Sequence, residues 1–234
     1  SNTDGTITSE TKANSFMSAV SYTSAGASGT IGTNLDSIEL AIVKDRDGVG
    51  NWQVYISSSV DASMGIGHYL WLNSSNAKDG GGTTGNEFLN TIGGVLGVHA
   101  DSGLATNLHD YIAYCFASVA GKCKVGSYTG TGASNSIACG FEAEFVLIKR
   151  TESADNWVII DNQRGDFDLY PDLSLAEISG DIIDFAPTGF TLKGAGKNAS
   201  GGTYIYLAIA KEVDTLIPKY DLTYPTQTAP TRIA

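Results

Sequence analysis

Three groups of residues in this chain have side chains and spacing that could do chemistry. The first is the run from Asp45 to Trp52, "DRDGVGNW", where two acids two apart are followed by glycines and an asparagine, as at the start of a calcium loop. Calcium takes carboxylate and carbonyl oxygens from a flexible loop, so Asp45, Asp47 and Asn51 are the candidate metal ligands. An EF-hand would also need a glutamate at the last loop position, and position 56 is Ile. The second group is His68, Tyr69 and Trp71 in "GHYLWLNSS", with His99 and His109 further on. An exposed Trp71 could stack on a sugar face, while His99 with Asp101 and His109 with Asp110 could form metal ligands or an acid/base pair. These five residues are the candidate ligand-binding set. The third group is Asp166, Asp168, Asp172 and Glu177 in "DFDLYPDLSLAE", which could supply two carboxylates for glycan hydrolysis. A solvated acidic loop explains them more simply. No G-x-S-x-G, P-loop or Cys/His nucleophile pattern is present.

The elements that must position these groups read as strands. The chain of 234 residues is 42% hydrophobic and 17% charged, with 28 glycines and two methionines. Its short runs of Val, Ile, Tyr and Thr are separated by Gly, Asn and Asp clusters, which is the pattern of an all-β protein. In "NWQVYISS", Trp52, Val54 and Ile56 alternate with Gln53, Tyr55 and Ser57, which predicts that Trp52 points into a core. "ELAIVK" alternates imperfectly and reads as buried on much of both faces. A net charge of -11 repels phosphate backbones and anionic lipid, so neither nucleic acid nor a membrane surface is an expected partner. No apolar run is long enough for a membrane-spanning helix. Cys115, Cys123 and Cys139 are odd in number and lack zinc spacing, which fits a chain made in a reducing cytoplasm. The sequence starts without Met and without a signal-peptide pattern, and upstream residues are expected.

The chain also contains a repeat. "VSYTSAGASGTI" from Val20 returns as "GSYTGTGASNSI" from Gly126, with Tyr22 and Tyr128, Gly26 and Gly132, and Ser28 and Ser134 each 106 apart. "ELAIVKDRDGVGNWQVYI" from Glu39 returns as "EFVLIKRTESADNWVIID" from Glu144, aligning Lys44 with Lys149 and Asn51-Trp52 with Asn156-Trp157. Each half closes on an apolar segment, "YIAYCFA" from Tyr111 or "YIYLAIA" from Tyr204. The expectation is two tandem antiparallel β-sandwich domains, jelly-roll in type, over 18–120 and 121–211. An N-terminal arm over 1–17 and an extended, Pro-containing C-terminal arm over 212–234 complete the expected organisation. From Trp to closing Tyr the first half takes 59 residues and the second 47, which places a twelve-residue insertion in the Gly-rich stretch 80–97. The aligned second copy, "RTESADNW", lacks the paired acids, so "DRDGVGNW" reads as a hairpin turn that needs no cofactor, with calcium as the alternative.

The segments "SNTDGTITSETKAN", "YIAYCFASVAGKCKVGSYTGTGAS", "GFEAEFVLIKRTESADNWVIIDNQRG" and "IDFAPTGFTLKGAGKNASGGTYIYLAIA" resemble a tandem domain of virion structural proteins from tailed, often marine, bacteriophages. The resemblance spans roughly residues 1–212. It implies a concanavalin- or laminin-G-like jelly roll carried on the virion in a tail fibre, an appendage or a capsid decoration, with no enzymatic activity. The implied partners are other virion proteins and copies of the chain itself, with host surface glycan as a further possibility. A carbohydrate-binding receptor module is the alternative, and a glycan-degrading spike enzyme is the third reading. The sequons at Asn73 and Asn198 are expected to be incidental.

Overall fold

The computed structural model describes residues 1–65, 67–80, 89–90, 94–99, 103–165 and 167–211. The C-terminal arm, most of the Gly-rich insertion, Asp101 and Asp166 fall outside the described residues. The described residues form nineteen strands and one short 3-10 turn, Ala62–Met64. In the first half these are β1 (Ser9–Ala13), β2 (Met17–Thr23), β3 (Gly29–Gly32), β4 (Leu40–Asp45), β5 (Gln53–Ile56), β6 (His68–Trp71), β7 (Asp79–Gly80), β8 (Leu89–Asn90), β9 (Val95–Val98) and β10 (Asp110–Phe116). In the second half they are β11 (Cys123–Thr129), β12 (Ser134–Ala138), β13 (Ala143–Arg150), β14 (Val158–Asp161), β15 (Phe167–Asp168), β16 (Ile178–Ser179), β17 (Ile183–Ala186), β18 (Gly189–Lys193) and β19 (Thr203–Ala210). Every strand pairing is antiparallel.

The two halves share a strand order. The main sheet of the first half runs β1-β2-β10-β4-β5-β6-β7, and that of the second runs β11-β19-β13-β14, so β2-β10-β4-β5 has its counterpart. Each half adds a small sheet, β3-β9-β8 or β12-β18-β17, in corresponding order. The turns leading into β3 and β12 use Gly26 and Gly132, both at φ 76°, a left-handed conformation open to glycine and costly for a side chain.

Three apolar cores set the layering. Val20, Tyr22, Ile31, Val43, Tyr55, Leu96 and Cys115 fill the space between the main and small sheets of the first half. Val146, Ile148, Phe190, Leu192, Tyr206 and Ala208 do the same in the second. The third core lies between the halves, where Leu40, Val54, Ile56, Leu70 and Phe116 of one main sheet meet Val125, Leu147, Trp157, Ile205 and Leu207 of the other. The result is four layers with the two main sheets back to back. This explains the double-sided apolar strands: in β4, Ala41 and Val43 enter the first core while Leu40 and Ile42 join the shared one.

Three sequence expectations are corrected here. Residues 1–17, expected as an N-terminal arm outside the first sandwich, join its sheets: β1 pairs with β2 along five residues and Ile7 donates to the Thr30 carbonyl at 2.9 Å. The strand β5 is buried on both faces, with Tyr55 in the first core and Val54 and Ile56 in the shared one, because the second half covers what would otherwise be its outer side. Trp52 is half-buried, and it is Trp157, 1% exposed, that enters a core. The two tryptophans occupy equivalent turns, but only Trp157 faces the shared core, where its Nε1 donates to the Trp71 carbonyl at 2.8 Å.

Candidate functional site

Of the residues singled out for chemistry, Asp45, Asp47 and His109 meet at the loops that follow β4 and precede β10, which have counterparts in the second half. A tyrosine pair anchors each loop set. Tyr22 stacks on Tyr111 with centroids 5.0 Å apart, and Tyr128 stacks on Tyr204 at the same 5.0 Å. The hydroxyls hold the loop just ahead of the closing strand: Tyr22 donates to the Leu104 carbonyl at 3.1 Å, and Tyr128 to the Lys197 carbonyl at 2.6 Å. Tyr111 accepts from the Thr106 amide and Tyr204 from the Ala199 amide, both at 3.0 Å and both five residues upstream. Burial raises the Tyr22 and Tyr128 hydroxyls far above the ordinary phenol range, so they act only as neutral hydrogen-bonding groups.

The candidate metal ligands are engaged in this loop architecture. Asp45 Oδ1 accepts from the amides of Asp47 and Gly48, each at 2.9 Å, closing the turn on itself. Its Oδ2 lies 2.8 Å from His109 Nδ1. Burial pushes the Asp45 carboxyl upward, but the His109 contact and the two amide bonds outweigh it and hold the group below the ordinary carboxylate range. Asp47 Oδ2 accepts from the Asp110 amide at 2.7 Å. Asn51 is turned elsewhere, with Oδ1 taking a bond from Asn73 Nδ2 at 2.9 Å. Among the described residues no group of three or more His, Cys, Asp or Glu side chains is arranged to hold a metal ion.

The second half lacks the pair of acids, with Arg150 in the place of Asp45, but it keeps one acid in the place of Asp47. Glu152, which aligns with Asp47, accepts from the Thr203 amide at 3.0 Å, and Thr203 is the counterpart of Asp110. Both acids therefore clamp the turn after β4 or β13 onto the first amide of the closing strand, β10 or β19. The longer Glu side chain does the work of Asp from the same position, which letter-by-letter alignment conceals. Glu152 also pairs with Arg150 Nε at 2.6 Å. Burial raises its carboxyl and the Arg150 contact and amide bonds lower it further, leaving a net downward shift.

The candidate ligand-binding residues do not converge. His68, Tyr69 and Trp71 lie on β6 near one side of the first main sheet. His68 Nδ1 is 3.3 Å from the Asp79 carbonyl oxygen. Tyr69 packs against the first core and meets Tyr55 and Trp71 edge-on, with centroids 6.3 and 4.8 Å away. His99 is half-buried just after β9. His109 sits with Asp45, in a loop separate from β6.

The second half holds a polar cluster that the sequence reading passed over. Lys197 Nζ bonds Asp155 Oδ1 and the Asn156 carbonyl, both at 2.6 Å, beneath the Tyr170 ring at 5.9 Å. Lys149 is fully buried, with Nζ donating to the Arg150 carbonyl at 2.7 Å and the Ser75 carbonyl of the first half at 3.3 Å. Burial depresses its ammonium to about 8. The alignment of Lys149 with Lys44 was the available signal: Lys44 Nζ likewise donates to the carbonyl of the next residue, at 2.5 Å. Of the acids proposed for hydrolysis, Asp168 is 1% exposed and reached by the Tyr170 hydroxyl at 3.4 Å, Asp172 is half-buried, and Glu177 is exposed. Burial raises both Asp168 and Asp172. Asn198 is fully buried and accepts from the Thr131 amide at 2.9 Å, which makes it a loop brace closed to glycosylation.

These features define an all-β protein of stacked antiparallel sheets whose polar loop residues mainly fasten loops to strands. The family model described as Domain of unknown function (DUF7483) matches residues 1–213, and the chain belongs to that family. No curated protein and no solved structure matches it. Among the described residues no helix is long and apolar enough to cross a membrane.

Proposed function

We propose that the chain is a non-enzymatic structural protein of a tailed-bacteriophage virion. In this reading it is a tandem duplication of a jelly-roll, concanavalin-like sandwich that serves in a tail fibre, an appendage or a capsid decoration. The supporting observation is the shared core. Burying the backs of two main sheets against each other turns two small sandwiches into one stiff block, suited to holding loops at a fixed spacing on a particle. The loop chemistry is consistent with this, since Asp45, Asp47, Glu152, Lys149 and Lys197 are engaged in fastening loops. A surface of net charge -11 keeps such blocks dispersed and disfavours nucleic acid and anionic membranes as partners. Other virion proteins and further copies of the chain are the expected partners.

The test is location. Antibody raised against the folded chain should decorate purified particles of the phage that encodes it, and mass spectrometry of those particles should recover its peptides. Recovery only from the particle-free lysate would sink the reading. The half-buried, edge-on Tyr69–Trp71 pair favours a second reading, a carbohydrate-binding module. Glycan-array binding that disappears in Trp71→Ala would support it, and silence across host polysaccharides would remove it.

A further inference from the structure

The two halves differ in how they finish the outer strand of their small sheets. In the first half, Thr33 donates to the Gly94 carbonyl at 3.1 Å, so alternate residues Gly29 and Ile31 bond inward to β9, while Thr30 and Gly32 turn their peptide groups outward. Three of those four outward groups are occupied. The Thr30 amide donates to Thr6 Oγ1 at 2.9 Å, its carbonyl accepts from Ile7, and the Gly32 carbonyl takes Ser9 Oγ at 3.3 Å. Residues 5–9 thus seal the edge of β3.

Among the described residues, the equivalent strand, β12, has no such cover. Cys139 donates to the Thr188 carbonyl at 2.8 Å, which sets Asn135 and Ile137 inward toward β18 and turns the peptide groups of Ser134, Ser136 and Ala138 outward. No hydrogen bond from a described residue reaches those outward amides and carbonyls. The side chains of Ser134, Ser136 and Ala138 are exposed. β12 also has none of the usual protections of an open edge: it contains no charge and no proline, and its register with β18 is unbroken.

We infer that β12 is an interface for a second copy of the chain, paired antiparallel across a two-fold axis at Ser136. That register places Ser136 against Ser136 of the partner subunit and Ser134 against the partner's Ala138, so every outward peptide group meets an outward group. The facing side chains are small, and an uncharged strand lets two equally acidic chains approach along this edge. The two small sheets join into one six-stranded sheet, β17-β18-β12 from each copy. A contact of five residues is weak alone and gains strength where many copies are held close together. For that setting the inference rests on the assembly reading above. A chain that pairs through β12 yet is missing from particles would sink that reading and leave this one standing.

The test is sedimentation of the full chain from about 1 µM to 1 mM, the range in which weak pairs form. The expected result is a concentration-dependent shift from monomer to dimer. Ser136→Pro, which removes the central amide of the edge, should abolish the shift. Ser136→Lys and Ser136→Asp place like charges across the axis and should each raise the dissociation constant several-fold, and a one-to-one mixture of the two should recover dimer. The two charge variants keep the amide, so they test the pairing even if the proline variant fails to fold. A monomer at every concentration would overturn the inference, as would a dimer unaffected by all three variants. Dimer that forms only after removal of residues 212–234 would assign the edge to the chain's own C-terminal segment and likewise overturn it.

Discussion

Leu207 offers a direct test of the shared core. It sits at the centre of β19, opposite Val125 on β11 and Leu147 on β13, and all three project into the space between the main sheets. Leu207 is 3% exposed. Leu207→Ala removes three carbons, worth about 2.4 kcal/mol at about 0.8 kcal/mol per buried methylene. The cavity left behind adds to this, giving a loss of about 3 kcal/mol, within the range for buried leucines. At about 1.4 kcal/mol per tenfold, that is roughly a hundredfold increase in opening. Hydrogen exchange read by mass spectrometry can resolve where the opening occurs. Because the core is common property, peptides from β2, β4 and β10 should lose protection by the same factor as those from β11, β13 and β19. Exchange that accelerates only in the second half would show that the halves unfold independently and would refute the back-to-back reading.

Other outcomes follow from the loop clamps and buried charges. Asp47→Ala and Glu152→Ala should each cost about 1 to 2 kcal/mol by freeing the Asp110 or Thr203 amide, a Tm drop of about 2 to 8 °C in a chain of this size; calcium should leave the parent melting temperature unchanged, and a rise abolished by Asp47→Ala would restore the metal-loop reading. Asp45 and Glu152 have depressed carboxyls, so their contribution is complete above the ordinary carboxylate range near pH 4 and is lost as pH falls below it; thermal melts of Asp45→Asn should show a smaller acid decline than the parent. Lys149 has the opposite sense. Its folded value of about 8 lies below the ordinary 10.5, so the unfolded chain binds the extra proton and the parent should gain stability over Lys149→Met as pH rises from about 8 to 10.5. A difference that stays flat across that window would mean the buried amine is not desolvated.

Much of the layered architecture was legible because it depends on local pattern. Short runs of Val, Ile, Tyr and Thr between Gly, Asn and Asp clusters marked strands, and two apolar faces on "ELAIVK" marked a strand covered from both sides. What covered the second side was not legible, because sheet-to-sheet contact is set by residues such as Val54 and Leu207, more than 150 positions apart. The same limit applied at the loops. "DRDGVGNW" looked like a metal site because its acids are adjacent in sequence, whereas their partners, His109 and the Asp110 amide, arrive from a distant strand. Alternation predicted that Trp52 enters a core, and its equivalent Trp157 does so instead, since residues equivalent within their own halves face different surroundings once the halves stack.

The back-to-back sheets also have a consequence during synthesis. β10 inserts between β2 and β4, so the first main sheet closes only when residues near 110 have emerged. From then until β19 follows, Leu40, Ile42, Val54, Ile56 and Leu70 present an uncovered apolar face on the nascent chain. At about 5 to 20 residues per second, making residues 123–210 takes roughly 4 to 18 seconds. The first half therefore waits on the ribosome with a sticky back, and slow codons within the second half would lengthen that exposure and lower the yield of folded chain.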